Sequence, residues 1–302
     1  MMNGNFLKKP ARWQAFTWAA RPKTLILVVV PIFVGTLLAL NYTSYFKGIA
    51  FASALLAGLF IQVAVNLIND ALDFKKGADN AARLGPERAT QKGWLSFHEV
   101  LYGGYFCLAL AFIIGMPMIM QGGILFLILL IVASILAYGY TGGPFPLAYY
   151  GLGEFFVIIF FGIIGTQAGF YLQAGKVSEK AFLAGLQIGL LAAAVNAINN
   201  LRDIESDEKA KKITVAVKFG KTFARLEITL LILLPYFLSL LWSDLGFYKA
   251  GLLPFVTLPL GFTLIRCIWF YEPSKIYNTF LGMAALLNLF FGVCLSLGFW
   301  LQ

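Results

Sequence analysis

Asn66, Asp70 and Asp73 stand at i, i+4 and i+7, so a helix carrying them presents all three on one face. They follow a long apolar run, 51–65. The pattern returns at the end of a second apolar run, where Asn199, Asp203 and Asp207 also share a face. Ionised carboxylates this close to hydrocarbon are expensive and mark functional sites. Like charges on adjacent turns also repel, so a cation should hold them together. Oxygen-only ligands favour a hard divalent ion, Mg2+ before Ca2+. The four aspartates are therefore the candidate catalytic and metal-holding residues, with Asn66 and Asn199 as further ligands.

Basic side chains follow each cluster: Lys76 and Arg83 after the first, Arg202, Lys209 and Lys212 after the second. Carboxylates mixed with Lys and Arg suit a metal–diphosphate complex better than a bare cation site. The metal bridges phosphate oxygens, and the basic groups neutralise the remaining charge. Stabilising a departing diphosphate in this way is electrostatic catalysis. If the diphosphate carries an isoprenoid, its tail belongs in an apolar cavity and its ionisation leaves an allylic cation. Aromatic faces stabilise cations. Tyr138 and Tyr140 head an aromatic cluster that runs on through Phe145, Tyr149, Tyr150, Phe155 and Phe156. For most of that cluster an interfacial belt is the better reading.

These residues need helices that cross a membrane. Of 302 residues, 60% are apolar and 12% charged, far from the balance of soluble domains. The runs are continuous rather than alternating, which excludes a β-barrel. Nine spans are expected, near 25–41, 49–69, 99–118, 122–141, 152–173, 180–201, 224–242, 250–270 and 279–301. With no soluble-sized segment between them, residues 1–302 read as one transmembrane domain, in which 1–23 form a basic, Trp-bearing interfacial segment. Nineteen of the twenty-three Lys and Arg then fall on one side. This places the N-terminus in the cytoplasm and the C-terminus outside. The net charge of +9 is explained by that topology, not by nucleic acid. No cleavable signal peptide is evident. Cys107, Cys267 and Cys294 read as small buried hydrophobes, and the single histidine, His98, sits at a helix start.

The whole pattern resembles the UbiA superfamily of intramembrane aromatic prenyltransferases, over nearly the full chain. It is carried by Arg21-Pro-Lys-Thr24, the stretch 66–79, Arg83-Leu-Gly-Pro-Glu-Arg88 with Gln91-Lys-Gly93, Tyr140-Thr-Gly-Gly-Pro-Phe-Pro146 continuing to Glu154, and Asn199-Asn-Leu-Arg-Asp-Ile-Glu-Ser-Asp207. The two Gly-Pro segments are similar to the naphthoate branch of that superfamily. The resemblance implies about nine helices around a central cavity with the two Asp motifs facing each other. It implies Mg2+-dependent ionisation of a polyprenyl diphosphate and attack on the cation by 1,4-dihydroxy-2-naphthoate. Loss of CO2 from the same ring carbon then gives demethylmenaquinol for menaquinone synthesis, in a bacterial cytoplasmic membrane. The acceptor's carboxylate needs a cationic partner, for which Arg21, Lys23 and Arg88 are candidates. The activated ring needs no named general base. Two departures stand out. Gly77 occupies a position that is acidic in many members, leaving Asp79 with an open role, and Lys211 precedes Lys212 where Gly is expected. A different aromatic acceptor such as 4-hydroxybenzoate, or a cation transporter, is the competing reading. A transporter should carry charges near the midplane of several spans, whereas here they gather at two helix ends.

Overall fold

The protein is described by a computed structural model over residues 9–78 and 83–302. Lys8, in the basic N-terminal segment, and Asp79 lie outside the described residues. Helices joined by turns make up the described residues, with no strand among them. A short helix, α1 (Arg12–Ala20), leads through a 3-10 turn at Pro22–Thr24 into α2 (Ile26–Ala39). Then come α3 (Gly48–Lys75), α4 (Phe97–Ile114), α5 (Met116–Gly122) and α6 (Ile124–Gly139). The remainder is α7 (Gly153–Ala174), α8 (Glu179–Arg202), a short α9 (Ile204–Lys209), α10 (Val215–Asp244), α11 (Tyr248–Phe270) and α12 (Tyr277–Trp300).

Seven of these helices (α3, α4, α7, α8, α10, α11 and α12) are each long and apolar enough to cross a bilayer. α2 qualifies only together with the segment before it, from which it is bent by 47°. α6 is apolar but has 16 residues, about 24 Å against the ~30 Å hydrocarbon core. The expected nine spans thus resolve into seven clear ones, a bent eighth and a short ninth. The chain is an all-α, multi-pass membrane protein. Its outer surface carries exposed Ile113, Ile135, Leu230, Phe237 and Phe262. In water such a surface would be an aggregation liability, and in lipid it is solvated.

Local chemistry sets the helix starts. Ser96 accepts the N–H of Glu99 at 3.2 Å and Glu99 accepts that of Ser96 at 2.8 Å, a capping box that starts α4. Thr214 caps α10 through the N–H of Val217 at 3.3 Å. Gly77, with φ +76°, ends α3 in the left-handed region; a residue with a Cβ would be strained there. That accounts for the glycine in the first Asp motif.

α8 runs through the middle of the bundle, packed by α7, α10 and α12. Its contact with α7 is backbone to backbone: a Cβ on Gly162 would lie 2.4 Å from Cα of Gly189. Small residues permit such approaches where helices associate in lipid. Gly162 lies within a π-helical turn, Ile158–Ile164, inside α7. α2 packs on the second half of α7 and on α12, while α3 pairs with α4. Between these groups the bundle is hollow.

Candidate active site

The hollow is a cavity of about 780 Å³ lined by α2, α3, α6, α7 and α8. Its wall holds both aspartate motifs: Asn66, Asp70 and Asp73 from α3, and Asn199, Asp203 and Asp207 from the end of α8 and from α9. Arg21, Lys23, Arg83, Arg88, Arg202, Lys212 and Tyr140 share the same wall. Deeper walls are apolar and reach Met118 and Phe126, at the opposite end of the spans. Along α6 the lining extends from Phe126 to Tyr140, fourteen residues or about 21 Å.

α3 has 28 residues, about 42 Å, so its last turns stand at the edge of the hydrocarbon. Asp70 there is fully buried. Its carboxylate accepts the N–H of Ala89 at 3.0 Å, the N–H of Thr90 at 3.3 Å and the hydroxyl of Thr90. It thereby caps the turn at 88–93 as an N-cap would and fixes buried Arg88 on the cavity wall. Asp73 accepts the hydroxyl of Tyr149 at 3.0 Å. Lys76 sits 4.2 Å over the Tyr149 ring and donates to the carbonyl of Thr141 at 2.6 Å.

Asn66 has a different job from the one its spacing implied. Its Nδ2 donates to the carbonyl of Ala20 at 2.8 Å and to the hydroxyl of Thr24 at 3.0 Å. These bonds clamp the turn carrying Arg21, whose φ of 52° is left-handed and costly for a residue with a Cβ. The N–H and hydroxyl of Thr24 close the turn on the carbonyl of Arg21 at 2.9 and 3.0 Å. Guanidinium Nη2 of Arg21 reaches the carbonyl of Asn66 at 3.5 Å.

The second motif is held by charge. Arg202 grips Asp203 with Nε at 2.9 Å and Nη2 at 2.6 Å. Arg202 also donates to Asn199 and to Asn278, both at 2.8 Å. It is 1% exposed, so it acts as an internal counter-charge before any diphosphate ligand. Burial alone would raise the Asp203 carboxyl, but the bonds and charge of Arg202 bring it below the ordinary carboxylate range. Asp207 pairs with Lys212 at 3.3 Å. Burial pushes Asp207 up to about 6 against the pull of Lys212. Burial would lower Lys212; the charges of Asp207, Asp73 and Asp203 outweigh it and raise the ammonium above the usual lysine range. One ammonium thus stands in the fields of both motifs.

Three expected site residues are not on the cavity wall: Lys76, Lys209 and Tyr138. Lys209 is exposed on α9 and Tyr138 faces outward from α6. Tyr140 does face inward, and its hydroxyl donates to Asn196 at 3.3 Å. Spacing pointed to none of Thr90, Gln62 or Asn278. Asn278 links Arg202 to the first loop through the carbonyl of Leu84 at 3.0 Å. Glu154, buried at the start of α7, accepts from Asn200 at 2.6 Å and ties α7 to the polar face of α8.

The residues present fit Mg2+ in kind. Mg2+ takes one or two carboxylates and completes its shell with water and substrate phosphates. Oδ2 of Asp207 is buried and accepts no hydrogen bond, although the Lys212 ammonium lies 3.3 Å from it, so it keeps lone pairs for a metal. Among the described residues no three acidic, His or Cys side chains stand together as a ready-made cage.

An all-helical membrane bundle with two Asp motifs on one cavity defines a class, and sequence comparison gives it a family. The chain belongs to the UbiA prenyltransferase family, which matches residues 28–300. It is 40% identical over 210 residues to the 1,4-dihydroxy-2-naphthoate octaprenyltransferase of Haemophilus influenzae, covering 67% of this chain and 68% of that one. The Bacillus subtilis protein of the same name is 29% identical over 299 residues, 96% of this chain and 94% of its own. Among solved structures, an apo UbiA homolog from Aeropyrum pernix K1 shares the fold with a TM-score of 0.71 at 15% identity, over 92% of this chain and 98% of that one. A UbiA homolog from Archaeoglobus fulgidus bound to DMAPP and Mg2+ gives 0.61 at 18% identity, over 93% and 99%.

Proposed function

We propose that this prenyltransferase moves a polyprenyl group from polyprenyl diphosphate to 1,4-dihydroxy-2-naphthoate with loss of CO2, in a single transmembrane domain and with Mg2+. One observation carries the reading. A single cavity joins two Asp motifs and a ring of basic residues at its mouth to an apolar interior reaching the far end of the spans. A charged head group and a long hydrocarbon tail fit that polarity. The names of the naphthoate prenyltransferases it resembles support the choice of acceptor.

Asp73 from one motif and Asp203 and Asp207 from the other would hold Mg2+ only jointly with the substrate's phosphate oxygens; when bound, the metal supplies Lewis-acid stabilisation of the leaving diphosphate. Arg83 and Lys212 bind the diphosphate oxygens. Arg202 keeps Asp203 ionised and in place. When the allylic C–O bond breaks, its electron pair leaves with the diphosphate. Tyr140 presents its ring to the cation that remains. Arg21, Lys23 and Arg88 hold the acceptor's carboxylate and turn its ring carbon toward the cation. The apolar walls keep water away from the cation, which would otherwise be hydrolysed. The bilayer is the cytoplasmic membrane of a bacterium, with the N-terminus inside, the C-terminus outside and the mouth facing the cytoplasm.

The test uses purified protein in nanodiscs with labelled polyprenyl diphosphate and Mg2+. 1,4-Dihydroxy-2-naphthoate and 4-hydroxybenzoate are supplied in parallel. Prenylated product and CO2 from the naphthoate alone are expected. Prenylation of the benzoate instead would overturn the acceptor while keeping the reaction class.

A further inference from the structure

Gln62 lies one helical turn deeper than Asn66 on α3 and lines the cavity. Its side chain is buried, 7% exposed. Nε2 donates to Oδ1 of Asn66 at 3.4 Å. Oε1 is buried with no hydrogen-bond partner. Its neighbours on the same wall, Gly58, Ile61 and Val65, have no side-chain donor to offer. An acceptor kept bare inside an apolar cavity is costly, and a prenyl tail passing beside it would leave it bare. A ligand hydroxyl would satisfy it.

The geometry says which ligand. Asn66 joins Gln62 to the turn of Arg21. Gln62 and Asn66 are four residues apart on one face of α3, a rise of about 6 Å, so a ring whose carboxylate meets Arg21 beside Asn66 points its far edge down that face toward Gln62. A carboxylate-binding cation at the mouth and a hydrogen-bond acceptor one turn below form a two-point site for a hydroxylated aromatic acid.

We propose that Gln62 is a specificity-determining residue of the acceptor site, its side-chain carbonyl accepting a hydrogen bond from the ring hydroxyl remote from the carboxylate that Arg21 binds. This rests on the acceptor reading above and sharpens it. The orphan oxygen selects for the second hydroxyl, and the tie to Asn66 sets its distance from the carboxylate.

Trp18 and Trp94 line the same cavity, so tryptophan quenching reports binding without the prenyl donor. Two ligands are titrated: 1,4-dihydroxy-2-naphthoate and 1-hydroxy-2-naphthoate, which lacks the remote hydroxyl. The wild type is expected to prefer the first by about tenfold or more. Gln62→Leu should lose that preference, weakening the first ligand about tenfold and leaving the second unchanged. The KM for prenyl diphosphate should stay constant. Gln62→Met, which keeps the side chain's length, is run beside it against misfolding and should behave alike. Equal weakening of both ligands would show Gln62 to be only a brace for Asn66 and would overturn the proposal. So would a wild type that binds both ligands equally. A wild type that binds neither naphthoate would instead overturn the acceptor assignment of the preceding section, and this one with it.

Discussion

At the end of α3 the buried carboxylate of Asp70 is held by two backbone N–H groups and a hydroxyl. At the end of α8 that of Asp203 is held by the guanidinium beside it in the chain. Both motifs set an aspartate four residues after an asparagine, and both line one cavity. Spacing fixes which face a side chain occupies; it does not fix the partner. Neutral donors make Asp70 a clasp that ties a loop to a membrane span. A cationic donor makes Asp203 half of a compensated pair, whose burial is tolerable only while both halves remain. The first motif builds the mouth, and the second stores charge behind it.

Alanine at either position should remove turnover, but the cost in stability should differ. Asp203→Ala leaves the Arg202 guanidinium without its counter-charge, a loss of about 3–5 kcal/mol. Asp70→Ala leaves neutral donors bare, about 1–3 kcal/mol. Thermal unfolding in detergent beside a turnover assay separates the two. Equal losses of stability would erase the contrast, and full activity in a folded Asp70→Ala protein would remove that residue from the site.

A smaller effect tests the clasp itself. Arg88→Ala and Arg21→Ala are expected to raise the KM for the aromatic acid about tenfold, and that for the prenyl donor much less. Equal shifts in both would end their assignment to the acceptor carboxylate.

The charge store should answer to pH. The Asp207 carboxyl is raised to about 6 by burial, so the fold favours its protonated form. Its contribution to stability is therefore present in acid and lost as pH rises through about 6. Mg2+ affinity should change in the opposite sense over the same window, since the metal must displace the proton. Unfolding temperatures and metal titrations at pH 5 and pH 8 should show both trends in the wild type and weaker ones in Asp207→Asn.

The smallest effect concerns the backbone. Lys211 has φ 55°, the left-handed region, at the place where the family resemblance calls for glycine. Lys211→Gly should remove strain of about 1 kcal/mol, seen as a modest rise in unfolding temperature with turnover unchanged. A fall in stability would show that contacts of the lysine outweigh its backbone.

The membrane class and the two polar helix faces were legible in the sequence because each follows from composition or helical period, whereas the facing of the two Asp motifs came with the family resemblance. Tyr138 was separable from Tyr140 by the same rule: two residues along a helix is about 200° of turn, so one cavity takes only one of them. The task of Asn66 was not legible. It depends on a turn more than forty residues earlier folding back onto α3, as its bond to Ala20 shows. Asn278 was hidden for the same reason. Its partners, Arg202 and the carbonyl of Leu84, lie in two other parts of the chain. The strain at Arg21 and Lys211 is a property of the path and not of residue type. Of the nine expected spans, α6 and α2 fall short because hydropathy counts residues without seeing where a glycine or a bend ends them.

The π-helical turn at Ile158–Ile164 gives α7 one place where its length can change. A π turn holds one residue more than an α turn. Deleting one residue there would let the turn close as α-helix, with both flanks still facing as they do. Glu154 would keep Asn200, and Phe156 would stay on the cavity wall. The same deletion outside the π turn would rotate one side of α7 by about 100° against the other. In a hydropathy plot the two deletions would look alike, but only the first would leave the reaction chamber its walls.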